Sequence, residues 1–427
     1  MNLILIFITY QIIQLLILPI IVVYLIIRKT KGKSAFGNFK ERVGFVPKNI
    51  KNNNTIWFHA VSVGEILSIQ YLIKKIKNTL PQSTIYVTTG TVSGKKMAVK
   101  NLDYDYLSFL PFDFLLPMLF AFRRIKPSNL ILAEAEIWPN LLLLAHFKKI
   151  PTFLVNARIN KKQNHLTKFI FSKILNTFKH IYTQSKEDLN KFLEMEITKE
   201  KLSVLGNIKA YNVYQKHTEL KQNLCKKNNK IVLLVGSIHP GELKIYLILF
   251  KQLKTKFSNL QLILAPRHFH WQEKLIKTIQ ETNFSFQIWK DFSTTYESDI
   301  ILVLKLGVLF NIYPLADIFF LGGTFVPVGG HNLLEPAVWG KLSVIGPHYQ
   351  NTKDIADCLQ KTNGLIKVKN ETDLHTQTQN LLMNKDLILE IGTNARTWLE
   401  KEKMAVENGL QILTKEFKPF SISHKFK

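Results

Sequence analysis

Three glutamates and one lysine stand where they could act on a hydroxyl group. Glu65 follows an apolar run and a glycine turn and should lie in the first turn of a helix, Glu134 and Glu136 follow a second apolar run, and Lys209 follows a third. A carboxylate is a suitable general base for a hydroxyl nucleophile, and a lysine can stabilise a departing phosphate. The structural alternative is that these glutamates only favour helix N-termini, and a single lysine is weak evidence in a lysine-rich chain.

A second group of residues is suited to binding phosphate. Arg267 follows a predicted strand, and a guanidinium makes bidentate contacts with phosphate. The stretch from Gly322 to Pro336 has two Gly-Gly pairs between a predicted strand and a predicted helix. Glycines allow a ligand to approach the backbone, and a helix N-terminus attracts phosphate. Asn332 is predicted to cap that helix and Glu335 to close a capping box, a role that leaves Glu335 able to bind a ribose hydroxyl.

The sequence does not predict a metal site or a cofactor. His268 and His270 form an H-x-H pair, but no carboxylates stand at matching spacing. The segment 103–105 has the D-x-D pattern of metal–nucleotide sites, but it precedes a predicted strand and is predicted to be a solvated loop.

These residues require a sheet edge that brings them together. Short runs rich in Ile, Leu and Val alternate with helical stretches, and the predicted strands are 55–59, 85–88, 130–133, 152–155, 181–183, 231–235, 260–264, 300–303, 318–321 and 342–345. Strands buried on both faces read as continuous apolar runs. The repeated β–α pattern predicts an α/β protein with two doubly wound domains, which bind ligands at the carboxyl ends of their strands.

The predicted organisation has five parts: an anchor at 1–28, a first Rossmann-like domain at 34–211, a linker at 212–229, a second Rossmann-like domain at 230–415 and a basic tail at 416–427. The linker is predicted because its residues are polar and lysine-rich without an apolar period.

The N-terminal segment is predicted to associate with a membrane. From Leu3 to Ile27 the chain carries no charge and is long enough to span the hydrocarbon core. A basic cluster at 28–33 follows the run and no small-residue cleavage site is evident, which argues against a cleaved signal peptide. The positive-inside rule predicts a cytoplasmic body. Gln11, Gln14 and Pro19 interrupt the run, so single-pass and monotopic insertion are both open.

The chain is strongly basic, with 57 Lys and Arg against 31 Asp and Glu and a formal net charge of +26. Such a charge favours an anionic partner, such as anionic lipid or a phosphorylated substrate, although compositional bias explains the dispersed lysines equally well. Without an arginine-rich arm, zinc-finger spacing or aromatic RNA-binding signature, nucleic acid is not predicted as a partner. The two cysteines stand far apart, which fits a reducing compartment.

An ordered set of motifs resembles that of the Kdo (3-deoxy-D-manno-octulosonic acid) transferases. The motifs stand at 41–45, 59–65, 88–91, 111–113, 134–140, 156–158, 206–209, 239–242, 266–268 and 329–332. Their order and spacing are specific as a set, and they extend through nearly the whole chain.

The resemblance implies a GT-B fold, in which two Rossmann-like domains face a cleft. It implies a metal-independent, inverting transfer of Kdo from CMP-Kdo to the lipid A precursor (lipid IVA) at the cell inner membrane. Glu65 would accept the proton, and Glu134 and Lys209 would stabilise the transition state. The first domain would bind the acceptor and the second the CMP-sugar. The implied CMP-Kdo-binding residues are Pro266, Arg267, Leu306, Gly307, Val308, Asn332, Leu333, Leu334 and Glu335.

The loop 304–309 departs from the family pattern. It reads Leu-Lys-Leu-Gly-Val-Leu where the family carries Asp-Thr-x-Gly-Glu-Leu. Two alternatives therefore stay open: a transferase that uses another nucleotide sugar on a membrane lipid, and a membrane-bound protein that kept the fold but lost turnover. The CMP-site residues argue against the first, and Glu65, Glu134 and Lys209 argue against the second.

Overall fold

The computed structural model describes residues 2–30, 38–51, 54–134, 136–159, 165–220, 229–292, 294 and 296–417. The chain forms two compact units. The first unit contains residues 1–212 and 403–427, and the second contains residues 213–402.

The first unit is built on a seven-stranded parallel sheet with the strand order β3-β2-β1-β4-β5-β6-β7. Its strands are β1 (Thr55–His59), β2 (Thr84–Thr89), β3 (Tyr106–Phe109), β4 (Asn129–Ala133), β5 (Thr152–Ala157), β6 (His180–Thr183) and β7 (Leu202–Val204). Its helices are α1 (Leu3–Thr30), α2 (Phe39–Arg42), α3 (Val63–Thr79), α4 (Val92–Asn101), α5 (Leu115–Ile125), α6 (Pro139–Phe147), α7 (His165–Leu175), α8 (Lys186–Glu194) and the start of α9 (Ile208–Glu219). Every residue of β1 and β4 is buried, as expected for strands covered on both faces.

The second unit has a parallel sheet of the same kind, in the order β10-β11-β9-β8-β12-β13-β14. Its strands are β8 (Ile231–Ile238), β9 (Leu260–Pro266), β10 (Phe286–Ile288), β11 (Ile300–Leu302), β12 (Ile318–Leu321), β13 (Leu342–Ile345) and β14 (Leu365–Lys367). Its helices are the rest of α9, α10 (Leu243–Lys254), α11 (Gln272–Gln280), α12 (Leu309–Ile312), α13 (Leu334–Val338), α14 (Lys353–Lys361), α15 (Glu371–Met383) and most of α16 (Lys385–Glu416).

Both sheets have the strand order of a doubly wound fold, so the predicted α/β class with two Rossmann-like domains is confirmed. The order reverses between β1 and β4 in the first sheet and between β8 and β12 in the second. Ligands of such folds bind in the crevice at the carboxyl ends of the strands where the order reverses. Each unit therefore has one topological position at which a site is expected.

The unit boundaries differ from the predicted domain limits. Helix α9 covers the first part of the predicted linker 212–229, and residues 221–228 lie outside the described part of the chain. The start of α9 is held by buried Ile208 and Tyr211, whereas none of the residues 212–219 is buried, so this part of the helix has no apolar period.

The predicted second domain, 230–415, also runs too far, because α16 returns to the first unit from Lys403 onward. Val406, Leu410, Leu413 and Phe417 of that segment pack into the core of the first unit. Of the predicted basic tail 416–427, Glu416 is the last residue of α16 and Phe417 is fully buried, and residues 418–427 lie outside the described part.

The D-x-D segment has a structural role at the edge of the first sheet. Asp105 accepts a hydrogen bond of 2.8 Å from the Ile85 amide and pairs with Lys51, while the exposed Asp103 pairs with Lys77 at 2.8 Å. Only Asp103 is well solvated, so the prediction of a solvated loop holds for one of the two carboxylates.

Helix α1 is docked on the first unit over part of its length. The Tyr10 hydroxyl donates a hydrogen bond of 3.0 Å to Asp113, and the side chains of Gln11 and Gln14 donate to the Asn140 side chain and the Asp113 carbonyl, each at 2.6 Å. The opposite side of the same segment is apolar and exposed, as for Leu16 at 72%. The stretch from Leu3 to Ile20 is long and apolar enough to cross a membrane by length and composition.

Candidate functional site

The first group of predicted residues lies where the strand order of the first unit reverses. Glu65 is at the start of α3, which follows β1, and Glu134 comes directly after β4. Since β1 and β4 are hydrogen-bonded neighbours in the middle of the sheet, these two carboxylates stand together at the carboxyl ends of the strands. Lys209, at the start of α9, completes this group. The structure therefore brings together the three residues predicted to be catalytic.

Glu65 is held by the capping interactions of its own helix. Ser62 is the N-cap of α3, and the Glu65 carboxylate accepts hydrogen bonds of 2.8 Å from the Val61 amide and from the Ser62 hydroxyl. Burial raises the pKa of Glu65 above its ordinary value, these hydrogen bonds oppose the rise, and the charge of Glu134 adds to it. A carboxylate with a raised pKa is better matched to accepting a proton near neutral pH. The capping role and the chemical role thus coexist.

Glu134 is the anionic centre of an ion-pair group. Its carboxylate lies 2.8 Å from the Lys209 ammonium and 3.2 Å from the Arg158 guanidinium. A buried carboxylate is costly unless it is paired, and these two cations provide the pairing. Arg158 stands in the motif at 156–158, but nothing in its spacing predicts a contact with Glu134.

Glu136 is a third carboxylate of the same loop. It accepts a hydrogen bond of 2.7 Å from the Trp138 indole. Burial raises the pKa of Glu136 to about 7, and the negative charges of Glu65 and Glu134 contribute to this rise. Glu136 stands out in the sequence beside Glu134, but no role is predicted for it.

Backbone conformation marks both candidate regions. Glu134, Asn156 and Ser237 have φ values of +61°, +57° and +60°. Such conformations cost roughly 1–3 kcal/mol for a residue other than glycine and are concentrated at functional sites. Glu134 directly follows its strand, while Asn156 and Ser237 lie at register shifts near the ends of β5 and β8. The other non-glycine residues with positive φ stand at helix C-termini, where this conformation is ordinary: Lys126, Lys149, Glu196 and Asn363.

The second unit contains a cavity of about 380 Å³ at the carboxyl ends of β8, β9 and β12. Its polar lining consists of Lys216, Ser237, Arg267, His331, Asn332 and Glu335. The volume is in the range of small-ligand pockets. Cationic, amide and carboxylate groups around one cavity could hold the phosphate and the sugar hydroxyls of a nucleotide.

Four of the nine residues predicted to bind the nucleotide line this cavity: Arg267, Gly307, Asn332 and Glu335. The side chains of Leu333 and Leu334 are buried in the core, and Pro266 is the buried last residue of β9. Leu306 is 70% exposed, and Val308 stands next to it in the same loop. These five residues do not line the cavity, and their role in binding the nucleotide stays a prediction.

The predicted capping box at 332–335 is not formed. The Asn332 side chain accepts from the Leu334 amide at 2.9 Å, whereas Glu335 pairs with Lys216 at 3.2 Å. Lys216 also lies 3.9 Å from the centroid of the Phe310 ring. The helix whose N-terminus was expected to attract phosphate is α13, which has only five residues. Lys216 was not predicted as a site residue, because it falls within the predicted linker 212–229.

Glu242 organises the glycine-rich stretch. This fully buried carboxylate accepts hydrogen bonds from the amides of His239, Gly323, Thr324 and Phe325, at 2.7–3.0 Å. Gly322 is needed for close packing, because a Cβ atom there would overlap the Ser237 carbonyl. Part of the glycine pattern therefore has a structural explanation that the sequence did not reveal.

Comparison with known proteins identifies the family. Residues 37–212 match the family model described as 3-deoxy-D-manno-octulosonic-acid transferase (kdotransferase). The 3-deoxy-D-manno-octulosonic acid transferase of Aquifex aeolicus is 33% identical over 348 residues, which cover 80% of this chain and 90% of that protein. This chain belongs to the Kdo transferase family. The transferase of the same name from Rickettsia bellii is 30% identical over 427 residues, which cover 96% of this chain and 99% of that protein.

A solved structure supports the fold of this Kdo transferase family member. The crystal structure of a glycosyltransferase from Rickettsia africae superimposes with a TM-score of 0.54 at 15% identity, covering 86% of this chain and 98% of that one. The fold is of the GT-B class, as the sequence predicted, and the chain is a glycosyltransferase by family.

Proposed function

We propose that this protein transfers Kdo from CMP-Kdo to lipid IVA, the lipid A precursor, in lipopolysaccharide synthesis, with inversion at the anomeric carbon. Family membership supports Kdo as the transferred sugar. The observation that carries the proposal is the group formed by Glu65, Glu134 and Lys209 at the reversal point of the first sheet. The cavity of the second unit supports a nucleotide-bound donor.

In this proposal Glu65 is the general base. The Ser62 hydroxyl that now donates to its carboxylate can rotate away and leave an oxygen free to accept the proton of a sugar hydroxyl. The oxygen thereby deprotonated forms the new bond to the anomeric carbon while the bond to the phosphate oxygen breaks. A single displacement of this kind inverts the anomeric centre.

Fixed charges of the chain stabilise the transition state. As the anomeric carbon develops positive charge and the phosphate oxygen negative charge, Glu134 and Lys209 supply a preorganised pair of opposite charges. Arg267, Asn332 and Glu335 hold the nucleotide in the second unit. This assignment uses no metal ion, because the cationic side chains take over the stabilisation of the phosphate.

We also propose that the protein acts at the cytoplasmic side of the inner membrane, anchored by α1. The contacts of Tyr10, Gln11 and Gln14 with the first unit favour monotopic insertion, because a docked segment cannot be surrounded by lipid on all sides. The exposed apolar side of α1 would then face the acyl chains.

The proposal is tested by incubating the purified full-length protein with CMP-Kdo and lipid IVA in detergent and measuring the mass of the lipid product. We expect the mass of the lipid to rise by that of one or more Kdo residues. The size of the increase gives the number of residues transferred. Other nucleotide sugars are supplied in parallel. Transfer of another sugar in preference to Kdo, or no transfer with any donor, would contradict the proposal.

Glu65→Gln is expected to lower the rate by a factor of roughly 10²–10⁴, the contribution of a general base. Glu273→Gln is a matched control, since Glu273 is an exposed glutamate in the first turn of α11. Near-wild-type transfer by the Glu65 variant would remove that residue as the base.

A further inference from the structure

Two histidines at the nucleotide cavity form a hydrogen-bonded pair. The Nε2 atoms of His239 and His331 are 2.7 Å apart, and the ring centroids are 5.0 Å apart with planes inclined by 10°, so the two rings lie edge to edge and nearly in one plane. His331 lines the cavity together with Arg267 and Asn332. His239 follows β8, and its backbone amide is fixed by the buried Glu242. The pair is therefore a built feature and not a chance contact between mobile side chains.

A proton must lie between the two nitrogens for this contact to be a hydrogen bond, because two unprotonated Nε2 atoms would repel each other. One neutral imidazole donates and the other accepts. The second nitrogen of each ring then stays available for a hydrogen bond or for a further proton. Protonation of the pair would leave an imidazolium beside the cavity. A departing phosphate would be stabilised by such a charge-assisted donor.

The charged groups around the pair come from several elements. Arg267 and His268, on the loop after β9, lower the pKa of both histidines, while Glu242 at the start of α10 raises that of His239. Burial is the largest cause for each and lowers the pKa of His331 to about 4. The pair is therefore neutral at pH 7 in the free protein. An anionic phosphate in the cavity acts in the opposite direction and favours uptake of a proton.

We propose that His239 and His331 are the proton-accepting part of the phosphate subsite, with His331 as the residue that contacts the phosphate of the nucleotide. This inference rests on the proposed function. The pair takes up one proton from water when the nucleotide binds. When the bond between the anomeric carbon and the phosphate oxygen breaks, the electron pair stays on that oxygen, and the imidazolium donates a hydrogen bond to it. The proton returns to water when CMP leaves.

The first test compares CMP with cytidine, which lacks the phosphate, by calorimetry on the full-length protein in detergent at pH 7.5. We expect His331→Asn to weaken CMP binding about tenfold or more, as for the loss of a charge-assisted hydrogen bond, and to leave cytidine binding within about twofold. His239→Asn should act in the same direction, and the double variant should lose little more than either single one, since the pair acts as a unit. His270→Asn is the control, because His270 is exposed and does not line the cavity.

The second test measures proton uptake from the heats of CMP binding in two buffers of different ionisation enthalpy. We expect the wild type to take up a fraction of a proton at pH 7.5 and a larger fraction at pH 6.5, with no uptake on binding cytidine and a near-complete loss in His331→Asn. Cytidine binding also reports whether each variant is folded around the cavity. Unchanged CMP affinity and uptake in His331→Asn, or an equal loss for CMP and cytidine, would overturn this inference alone. Failure of the wild type to bind either compound would overturn the proposed function with it.

Discussion

At the scale of single residues, the pKa values of Glu65 and Glu136 depend on the carboxylates around them. Glu134 raises the pKa of Glu65, and both raise the pKa of Glu136. A change at one of these carboxylates therefore alters the pKa of its neighbours as well. Individual roles must therefore be separated by changing one charge at a time.

Glu134→Gln is expected to move the acid limb of the pH profile of kcat/KM to lower pH, and to lower the rate at all pH values. The negative charge of Glu134 raises the pKa of Glu65, so removing that charge lowers the pKa. Glu65 then stays ionised, and able to act as the base, in more acidic solution. Lys209 and Arg158, left without their partner, act in the same direction.

The measurement is the rate of Kdo transfer from pH 4.5 to 8.0. Glu136→Gln serves as the comparison, because it removes a neighbouring charge without removing the ion pairs of Glu134. If the limb belonged to Glu136, it would vanish in that variant. An upward shift in Glu134→Gln would contradict the assignment of the limb to Glu65.

At the scale of elements, the most predictable features were the buried strands. Strands β1, β12 and β13 agree with the predicted limits, because a strand covered on both faces must be apolar at every position. Strands β3, β10 and β14 were missed, since each has only three or four residues and lies at a sheet edge where some positions are exposed or half-buried. Edge strands carry no continuous apolar run.

The candidate site was predictable only in part. Glu65, Glu134 and Arg267 could be found because each follows a strand that was itself predictable. Arg158, Lys216 and His239 could not, because their roles depend on distances across the fold: each contacts a residue that is 24 or more positions away. Sequence spacing carries no information about such contacts.

The close approach of Gly322 to Ser237 in β8 leads to a prediction on stability. Gly322→Ala should destabilise the protein by roughly 1–3 kcal/mol, because the added methyl group overlaps the Ser237 carbonyl and the backbone must move. Gly64→Ala should instead be stabilising by about 0.5–1 kcal/mol, since Gly64 lies in α3 and an added Cβ meets only the Ser62 hydroxyl at 3.9 Å. Urea denaturation measures both free energies of unfolding. Equal effects of the two substitutions would show that the contact at Gly322 is not restrictive.

The two sides of α1 should respond differently to substitution. Leu15 and Leu16 are exposed in the protein, and each would contribute about 1.5–3 kcal/mol when buried in a membrane. Replacing both by Glu should therefore weaken binding to anionic vesicles by more than tenfold. Replacing Gln11 and Gln14 by Ala should leave vesicle binding intact but lower the free energy of unfolding by about 1–3 kcal/mol, since these side chains hydrogen-bond to the first unit. Vesicle sedimentation and urea denaturation distinguish the two. If the glutamines governed vesicle binding instead, α1 would not be docked as described.

At the scale of the whole molecule, the chain leaves the first unit at residue 212 and returns to it at residue 403. The returning part of α16 places Val406, Leu410, Leu413 and Phe417 in a core with Ile66 and its neighbours, each at most 2% exposed. Four buried side chains at about 1.5–3 kcal/mol each are comparable with the whole net stability of a domain, about 5–15 kcal/mol. The first unit is therefore complete only after the second unit has been synthesised.

A chain that ends at residue 402 should for this reason fail to fold its first unit, although all of the strands and the predicted catalytic residues are present. The second unit, residues 213–402, is complete in that chain and should survive limited proteolysis as a resistant fragment. A chain that ends at Phe417 is the matched control, because it keeps the packed residues and should be as resistant as the full-length protein. Mass spectrometry of the fragments reads out both chains. Resistance of residues 38–212 in the shorter chain would mean that the terminal segment of α16 contributes little, and that the burial of Phe417 is a consequence of the fold and not a cause of its stability.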